Sequence, residues 1–140
     1  MRGKRRMKTK VMVGGLMLSA QILGSLVIGS SGAVAGPWED GMASYNRGDY
    51  VPAIKVFRAM AAQGNAKAQS VLGVMYRRGE GVARSPVRAF LWLNRAAKGG
   101  DAKAKAELHE VTQTMTSEEL SQAREMAQTC EASDYRSCEY

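Results

Sequence analysis

The sequence predicts an all-α fold: a short right-handed α-solenoid of antiparallel helix pairs with a C-terminal capping helix. Three observations predict it. Alanine-rich segments separated by glycines follow residue 35, with no useful length of strand-like alternation. The chain aligns with itself at a shift of 36 residues. Its segments also carry the start and stop signals that turn the chain between paired helices.

The internal repeat aligns residues 53–72 with residues 89–108. Seven of the twenty aligned positions are identical, namely Ala53/Ala89, Ala61/Ala97, Gly64/Gly100, Ala66/Ala102, Lys67/Lys103, Ala68/Ala104 and Leu72/Leu108. A unit of this length contains two helices, A and B, and buries its apolar face by stacking on the next unit. The paired alanines of helices B (Ala53, Ala61, Ala89 and Ala97), together with Gly73 on a helix A, are therefore expected where a facing helix comes close.

Local signals place the first three helices. We expect helix A of the first unit over 38–46, ending at Gly48, and helix B to begin after Asp49 as its N-cap and run to Ala62. Pro52 is tolerated in the first turn of that helix. The second helix A begins at Asn65 and ends at 78–79, with Leu72 and Tyr76 pointing inward.

The remaining three helices have clear start signals. Ser85 followed by Pro86 is an N-cap with proline at the first helical position, and this second helix B runs to residue 98. Asp101 caps a third A-type helix that extends to about residue 113. A capping box from Thr116 to Glu119 opens a last helix over 117–129, which we expect to cap the repeats.

Residues 1–35 have the order of a secretory signal peptide. A basic stretch (2–10) precedes an apolar one (11–28), and Ala-Val-Ala at 33–35 matches a cleavage site. We therefore expect cleavage after Ala35, a mature chain that is periplasmic or secreted, and no stable membrane insertion after cleavage. An uncleaved anchor is the alternative, because about 18 apolar residues can just span a bilayer.

The net charge of +7 belongs mainly to this leader. Residues 1–35 hold six basic side chains and no acidic ones, whereas residues 36–140 hold 14 basic and 13 acidic side chains. A nearly neutral mature chain lacks the basic footprint of nucleic-acid-binding proteins. We therefore expect no nucleic-acid partner.

Cys130 and Cys138 are the two cysteines of the sequence. In an oxidising compartment, an even count at close spacing favours a disulfide, here in the tail formed by residues 130–140. A metal site is the alternative, but it needs two further ligands and His109 is the sole histidine of the sequence. We therefore expect neither a metal nor a cofactor.

The segment 66–104 resembles the Sel-one-like repeat (SLR), a relative of the tetratricopeptide repeat (TPR). Its pattern is A-x-x-x-LG-x-x-Y-x-x-G-x-GV, then A-x-x-W, then AA-x-x-G-x-x-x-A. The positions that meet it are Ala68, Leu72, Gly73, Tyr76, Gly79, Gly81, Val82, Ala89, Trp92, Ala96, Ala97, Gly100 and Ala104. The first unit has a connection five residues shorter and looks more like a TPR, and the third unit is a degenerate half-repeat.

This resemblance implies an SLR/TPR-like domain over 36–129, with about two and a half repeats. The C-terminal helix and cysteine pair resemble those of exported bacterial members. The resemblance implies binding rather than catalysis and, together with the leader, indicates a small non-enzymatic adaptor or regulator of another envelope protein. A lid or inhibitor that occludes its partner is a third hypothesis, which the sequence does not separate from an adaptor.

The enzymatic alternative is a cell-wall or β-lactam-acting enzyme, because some cysteine-rich secreted relatives are described as binding or hydrolysing β-lactams. The sequence contains none of the motifs H-E-x-x-H, S-x-x-K and G-x-S-x-G. We therefore predict no catalytic residues.

Helices A line the concave face of helix-pair solenoids. If Leu72 and Tyr76 point inward, the predicted partner-binding residues are Asn46, Arg47, Lys67, Ser70, Val74, Arg77, Arg78 and Lys103. Five of these are basic, and arginine recognises carboxylates bidentately. The hypothesis is a protein or peptide partner with an acidic segment or a C-terminal carboxylate. The alternative is an ordinary solvated face.

Overall fold

The computed structural model describes residues 35–133. Within that range the chain forms six helices and no strand. The helices are α1 (Pro37–Asn46), α2 (Tyr50–Ala62), α3 (Ala66–Arg78), α4 (Pro86–Lys98), α5 (Ala102–Thr114) and α6 (Ser117–Ala132). The all-α fold of stacked helix pairs, in the manner of a short SLR/TPR-like solenoid, is confirmed. The predicted signal peptide up to residue 34 and the tail from residue 134 lie outside the described residues.

Each helix from α1 to α5 packs against the next one, so that helices A (α1, α3, α5) and helices B (α2, α4) alternate. The last helix, α6, packs against α4, as a further B helix would. It buries Ala123, Ala127 and Cys130, and Lys98 of α4 forms an ion pair with Glu131 near its end. Because α6 continues to Ala132, Cys130 lies on its last turns and not after the end of the helix.

The N-caps confirm most of the local predictions. The side chains of Asn65, Ser85 and Asp101 accept hydrogen bonds from backbone amides three residues later, and Thr116 and Glu119 form the capping box. The predicted side-chain cap at Asp49 is wrong. Its carboxylate makes no capping hydrogen bond and instead lies 3.0 Å from the Arg47 guanidinium.

The core lies between α2, α3 and α4, and Phe57, Leu72 and Leu93 are fully buried there. At Gly73 a β-carbon would lie 2.6 Å from Cγ of Leu93, so this glycine permits the close approach of α3 and α4 that the sequence predicts. The prediction for the paired alanines needs one correction. Ala97 is only half-buried, whereas its neighbour Ala96 is fully buried.

Two glycines turn the chain between α3 and α4. Gly79 and Gly81 have φ angles of +75° and +72°, which side chains other than glycine rarely adopt. A β-carbon at Gly81 would lie 2.7 Å from the carbonyl oxygen of Tyr50, so the turn also needs a small residue where it passes α2.

Among residues 35–133, no helix is both long and apolar enough to cross a bilayer.

Candidate binding groove

Helices A line a groove with a volume of about 460 Å³, named here the A-helix groove. Side chains of α1, of α3 and of the beginning of α5 form its walls. These are Trp38, Met42 and Tyr45 from α1, Lys67, Ser70, Val71, Val74 and Arg78 from α3, and Asp101, Lys103 and Glu107 around the first turns of α5. The groove therefore lies on the face formed by helices A.

One stripe of α3 forms the floor of the groove. Its five lining residues follow helical spacing between positions 67 and 78, so they share one face. Ser70 and Val74 are 4 % and 7 % exposed, whereas Lys67 and Arg78 are exposed at the two ends of the stripe. The floor thus has a largely buried centre, formed by Ser70, Val71 and Val74, between two cationic ends.

Three half-buried side chains on α1 form the opposite wall. The ring of Trp38 packs edge-on against Phe57 with 5.7 Å between centroids. The ring of Tyr45 packs in the same way against Phe57 at 6.5 Å and against Tyr50 at 5.4 Å. Since Phe57 is fully buried, these ring contacts connect the groove wall to the core.

Tyr45 also connects α1 to the turn after α3. Its hydroxyl donates a hydrogen bond of 2.7 Å to Oε2 of Glu80. Burial, followed by the hydrogen bond to the Glu80 carboxylate, raises the pKa of Tyr45 to about 12. The hydroxyl therefore stays protonated and holds one end of α1 against the second unit.

The arginines of the predicted basic face are paired with acidic residues. The Arg77 guanidinium lies 2.7 Å from Glu107 and 3.5 Å from Glu110, both on α5. Arg78 lies 3.7 Å from Glu80. Lys67 and Lys103 form no ion pair with any residue in 35–133. The lysines are therefore the cations most available to a ligand in the groove.

The structure brings together five of the eight predicted partner-binding residues. Lys67, Ser70, Val74, Arg78 and Lys103 line the groove. Asn46 and Arg47 are exposed at the end of α1, outside the lining, and Arg77 lies toward α5. Their roles in binding stay predictions.

Sequence reasoning missed the apolar wall formed by Trp38, Met42 and Tyr45, and also Val71 on the floor. A signal for the wall exists, because the three α1 residues have helical spacing and form one stripe. These side chains stay half-buried, because α1 packs mainly against one helix, α2.

The predictions about a metal site and a disulfide concern residues outside the groove. In the described part of the chain, no three His, Cys, Asp or Glu residues are placed to hold a metal ion. Cys130 is 2 % exposed on α6, and Cys138 lies outside the described residues. The predicted disulfide between them stays a prediction.

Comparison with known proteins identifies the central unit. The family model named Sel1 repeat matches residues 66–101. Residues 66–101 therefore resemble a Sel1 repeat. The resemblance predicted from the sequence is thereby confirmed for this segment, which contains α3, its turn and α4. Sel1 repeats generally mediate protein–protein interaction.

A curated relative agrees with the family match. The chain is 50 % identical over 50 residues to chitin synthase regulatory factor 3 of Schizosaccharomyces pombe (strain 972 / ATCC 24843). The alignment covers 36 % of this chain and 5 % of that protein. The chain therefore matches only a small part of that relative's length.

Proposed function

We propose that this chain is an exported protein–protein interaction module that binds another envelope protein through the A-helix groove. One observation carries the proposal: a concave surface with apolar side chains open to solvent, built on a Sel1 repeat. Concave sites with a mostly apolar lining and a few polar groups are typical of binding sites. Adaptor and regulator are the roles that such a module performs.

The size of the groove favours a short segment of the partner. A volume of about 460 Å³ accommodates a few side chains. Trp38 and Met42 are half-buried, so each offers an apolar surface that a partner side chain would cover without disturbing the core. An extended peptide or an exposed loop of the partner fits this groove better than a broad flat surface.

The leader supports the exported location. Its basic, apolar and small-residue regions follow in the order of a signal peptide, and α1 begins at Pro37, two residues after the predicted cleavage site. Cleavage would therefore leave all six described helices in the mature chain. Mass spectrometry of the processed protein should find Gly36 at its N-terminus. A protein that starts at Met1 in the membrane fraction would contradict export by cleavage.

A regulatory role has some support from the relative. It is named as a regulatory factor of an enzyme, and we propose that this chain likewise binds and regulates another protein. The enzymatic alternative has no supporting observation among residues 35–133. The purified chain is expected to leave a chromogenic β-lactam unhydrolysed, and turnover would contradict this proposal.

Crosslinked affinity purification from the native envelope tests the groove. The bait is the full chain with a C-terminal tag, and partners are identified by mass spectrometry. Val71→Glu places a charge inside the groove, whereas Val51→Glu places one on α2 at a side chain that is 57 % exposed and outside the groove. We expect an enriched partner that Val71→Glu loses and Val51→Glu retains.

Circular dichroism of both variants controls for folding. Equal recovery of the partner with both variants would contradict binding through the groove. If no protein is enriched by the unchanged chain, the adaptor proposal itself fails.

A further inference from the structure

The charges that line the A-helix groove differ in how they are engaged. Its two acidic residues are already in use: Asp101 accepts a hydrogen bond of 2.8 Å from the backbone amide of Ala104, and Glu107 is paired with Arg77. Of the three cations, Arg78 has Glu80 as a neighbour. Lys67 and Lys103 have no acidic partner among the described residues, so this end of the groove has an excess of positive charge.

The positions of the two lysines strengthen that excess. Lys67 is the second residue of α3 and Lys103 is the second residue of α5. The N-terminal end of a helix carries a partial positive charge from its unpaired amide groups. At α5 the Asp101 carboxylate caps this end and offsets its partial charge, whereas the N-cap of α3 is the neutral side chain of Asn65. The N-terminus of α3 and both ammonium groups therefore act on the same end of the groove.

Ser70 adds a polar group next to this charge. It lies one turn after Lys67, is 4 % exposed and lines the groove. The structure records no hydrogen bond from its hydroxyl to any residue in 35–133. A hydroxyl that lines a groove and has no partner among the described residues is suited to bond a polar group of the occupant.

Apolar side chains begin directly beside this polar end. Val71 lies four residues after Lys67, which is about 6 Å along the helix axis. Trp38 and Met42 line the same groove from α1. In an extended peptide, two side chains on the same side are two residues apart, which is about 7 Å. The two spacings match.

We infer that the occupant of the A-helix groove is an extended segment of the partner with an acidic side chain two residues from a large apolar one. The carboxylate lies between Lys67 and Lys103, and the apolar side chain packs against Trp38, Met42 and Val71. This inference rests on the proposed function and adds the chemistry of the partner. It assigns recognition of the carboxylate to Lys67 and Lys103, whereas the hypothesis from the sequence assigned it to the arginines.

A peptide-display library panned on the full chain tests the inference. We expect enriched sequences to carry Asp or Glu two positions from Leu, Ile, Met, Phe or Trp. Their affinities are then measured by fluorescence anisotropy against K67E/K103E and against the matched control K55E/K105E. Lys55 and Lys105 are exposed and lie outside the groove. Both double variants replace two lysines with two glutamates, so they change the net charge equally.

The expected result is at least a tenfold loss of affinity in K67E/K103E and less than about a twofold change in the control. The reason is that the two new glutamates repel the peptide carboxylate that the two lysines attracted. A peptide with Lys in place of its acidic residue should bind K67E/K103E better than it binds the unchanged chain. Amidation of the peptide C-terminus should have no effect. Loss of binding on amidation would instead indicate recognition of a terminal carboxylate and overturn the inference.

The remaining outcomes separate the two proposals. Binding that Val71→Glu abolishes but K67E/K103E leaves unchanged overturns the acidic partner and leaves the groove as the binding site. Binding that neither change affects overturns both proposals, and so does a library that yields no groove-dependent peptide. Thermal unfolding of each variant establishes that it is folded.

Discussion

The two helix pairs α1–α2 and α3–α4 occupy comparable places in the repeat but differ greatly in burial. Helix α3 buries eight of its 13 residues, whereas α1 buries only Gly41 of its ten. The reason is their neighbours: α3 packs against α2, α4 and α5, and α1 packs mainly against α2. The central unit therefore supplies most of the core, and the first unit supplies a groove wall.

The first unit compensates for its few neighbours with contacts from aromatic side chains. Trp38 and Tyr45 pack edge-on against Phe57, and Tyr45 bonds to Glu80. Such ring pairs add about 0.5–1.5 kcal/mol beyond the burial of their area. Side chains that would be core residues in a central helix thus remain partly accessible in α1, where a partner can reach them.

The largest difference between the units is expected at their helical glycines. In Gly73→Ala the new β-carbon would lie 2.6 Å from Cγ and 3.2 Å from the backbone nitrogen of Leu93. We expect a loss of about 2 kcal/mol, since the clash exceeds the gain in helix propensity. In Gly41→Ala the nearest atoms are side-chain atoms of Phe57 and Val56 at 3.0–3.1 Å, and the loss should stay below about 1 kcal/mol. Urea denaturation measures both, and equal losses would contradict the comparison.

A second difference is expected at the connection between α2 and α3. Gln69 is 2 % exposed, and its Nε2 donates a hydrogen bond of 3.0 Å to the carbonyl oxygen of Ala61. Gln69→Ala should cost about 1.5 kcal/mol, because a buried hydrogen bond and packed volume are both lost. The exposed Gln63→Ala is the control and should change the midpoint of urea unfolding little. An unchanged midpoint in Gln69→Ala would show that the bond contributes nothing.

The equivalent tyrosines sharpen the comparison through their dependence on pH. The Tyr45 hydroxyl donates to Glu80, whereas the Tyr76 hydroxyl accepts a bond of 2.6 Å from Arg58. Tyr45→Phe should cost about 1 kcal/mol at neutral pH. The pKa of Tyr45 is raised from 10.0 to about 12, so the folded state keeps a proton that the unfolded state releases. The contribution of Tyr45 is therefore present below pH 10 and is lost as the pH rises toward 12.

Urea denaturation of the unchanged chain and of Tyr45→Phe at pH 8, 10 and 11 measures this loss. The stability difference between the two proteins should shrink above pH 10. Tyr76→Phe, which leaves the Tyr45–Glu80 bond intact, serves as the matched control. A constant difference between the unchanged chain and Tyr45→Phe through pH 11 would contradict the role of Glu80.

The smallest expected effect concerns the N-caps of the two helices B. The Ser85 hydroxyl accepts a hydrogen bond from the amide of Arg88 at 3.3 Å, whereas Asp49 makes no capping bond. Ser85→Ala should cost about 0.5 kcal/mol or slightly more, and Asp49→Ala less. Thermal unfolding of the two variants compares them. A larger loss in Asp49→Ala would mean that its pairing with Arg47 matters more than the cap on α4.

Much of the fold follows from local signals in the sequence. The helices begin and end within about three residues of their predicted bounds, because caps and glycines act on the neighbouring backbone. Asp49 is the exception among the caps, since the nearby Arg47 guanidinium attracts its carboxylate. The predicted direction of Leu72 and Tyr76 is also confirmed, because helical spacing determines which residues share a face.

Which charged side chains of the groove form ion pairs could not be predicted from the sequence. Arg77 meets Glu107, which lies thirty residues later, only because α3 and α5 come together around α4. An ion pair between distant residues depends on the packing of whole helices and leaves no mark at the spacing of neighbours. The sequence therefore indicated a basic face of three arginines and two lysines, whereas the folded chain pairs the arginines and leaves the lysines available.

The sequence by itself determined the helices, the repeat and the face of α3 that is buried, because turn chemistry and helical periodicity are local properties of the chain. Tertiary structure alone decided that Trp38, Met42 and Tyr45 form a groove wall and that Lys67 and Lys103 remain without acidic partners in the described chain. These outcomes depend on which helices become neighbours and how closely they pack. A side chain becomes core, groove wall or free charge only through those neighbours.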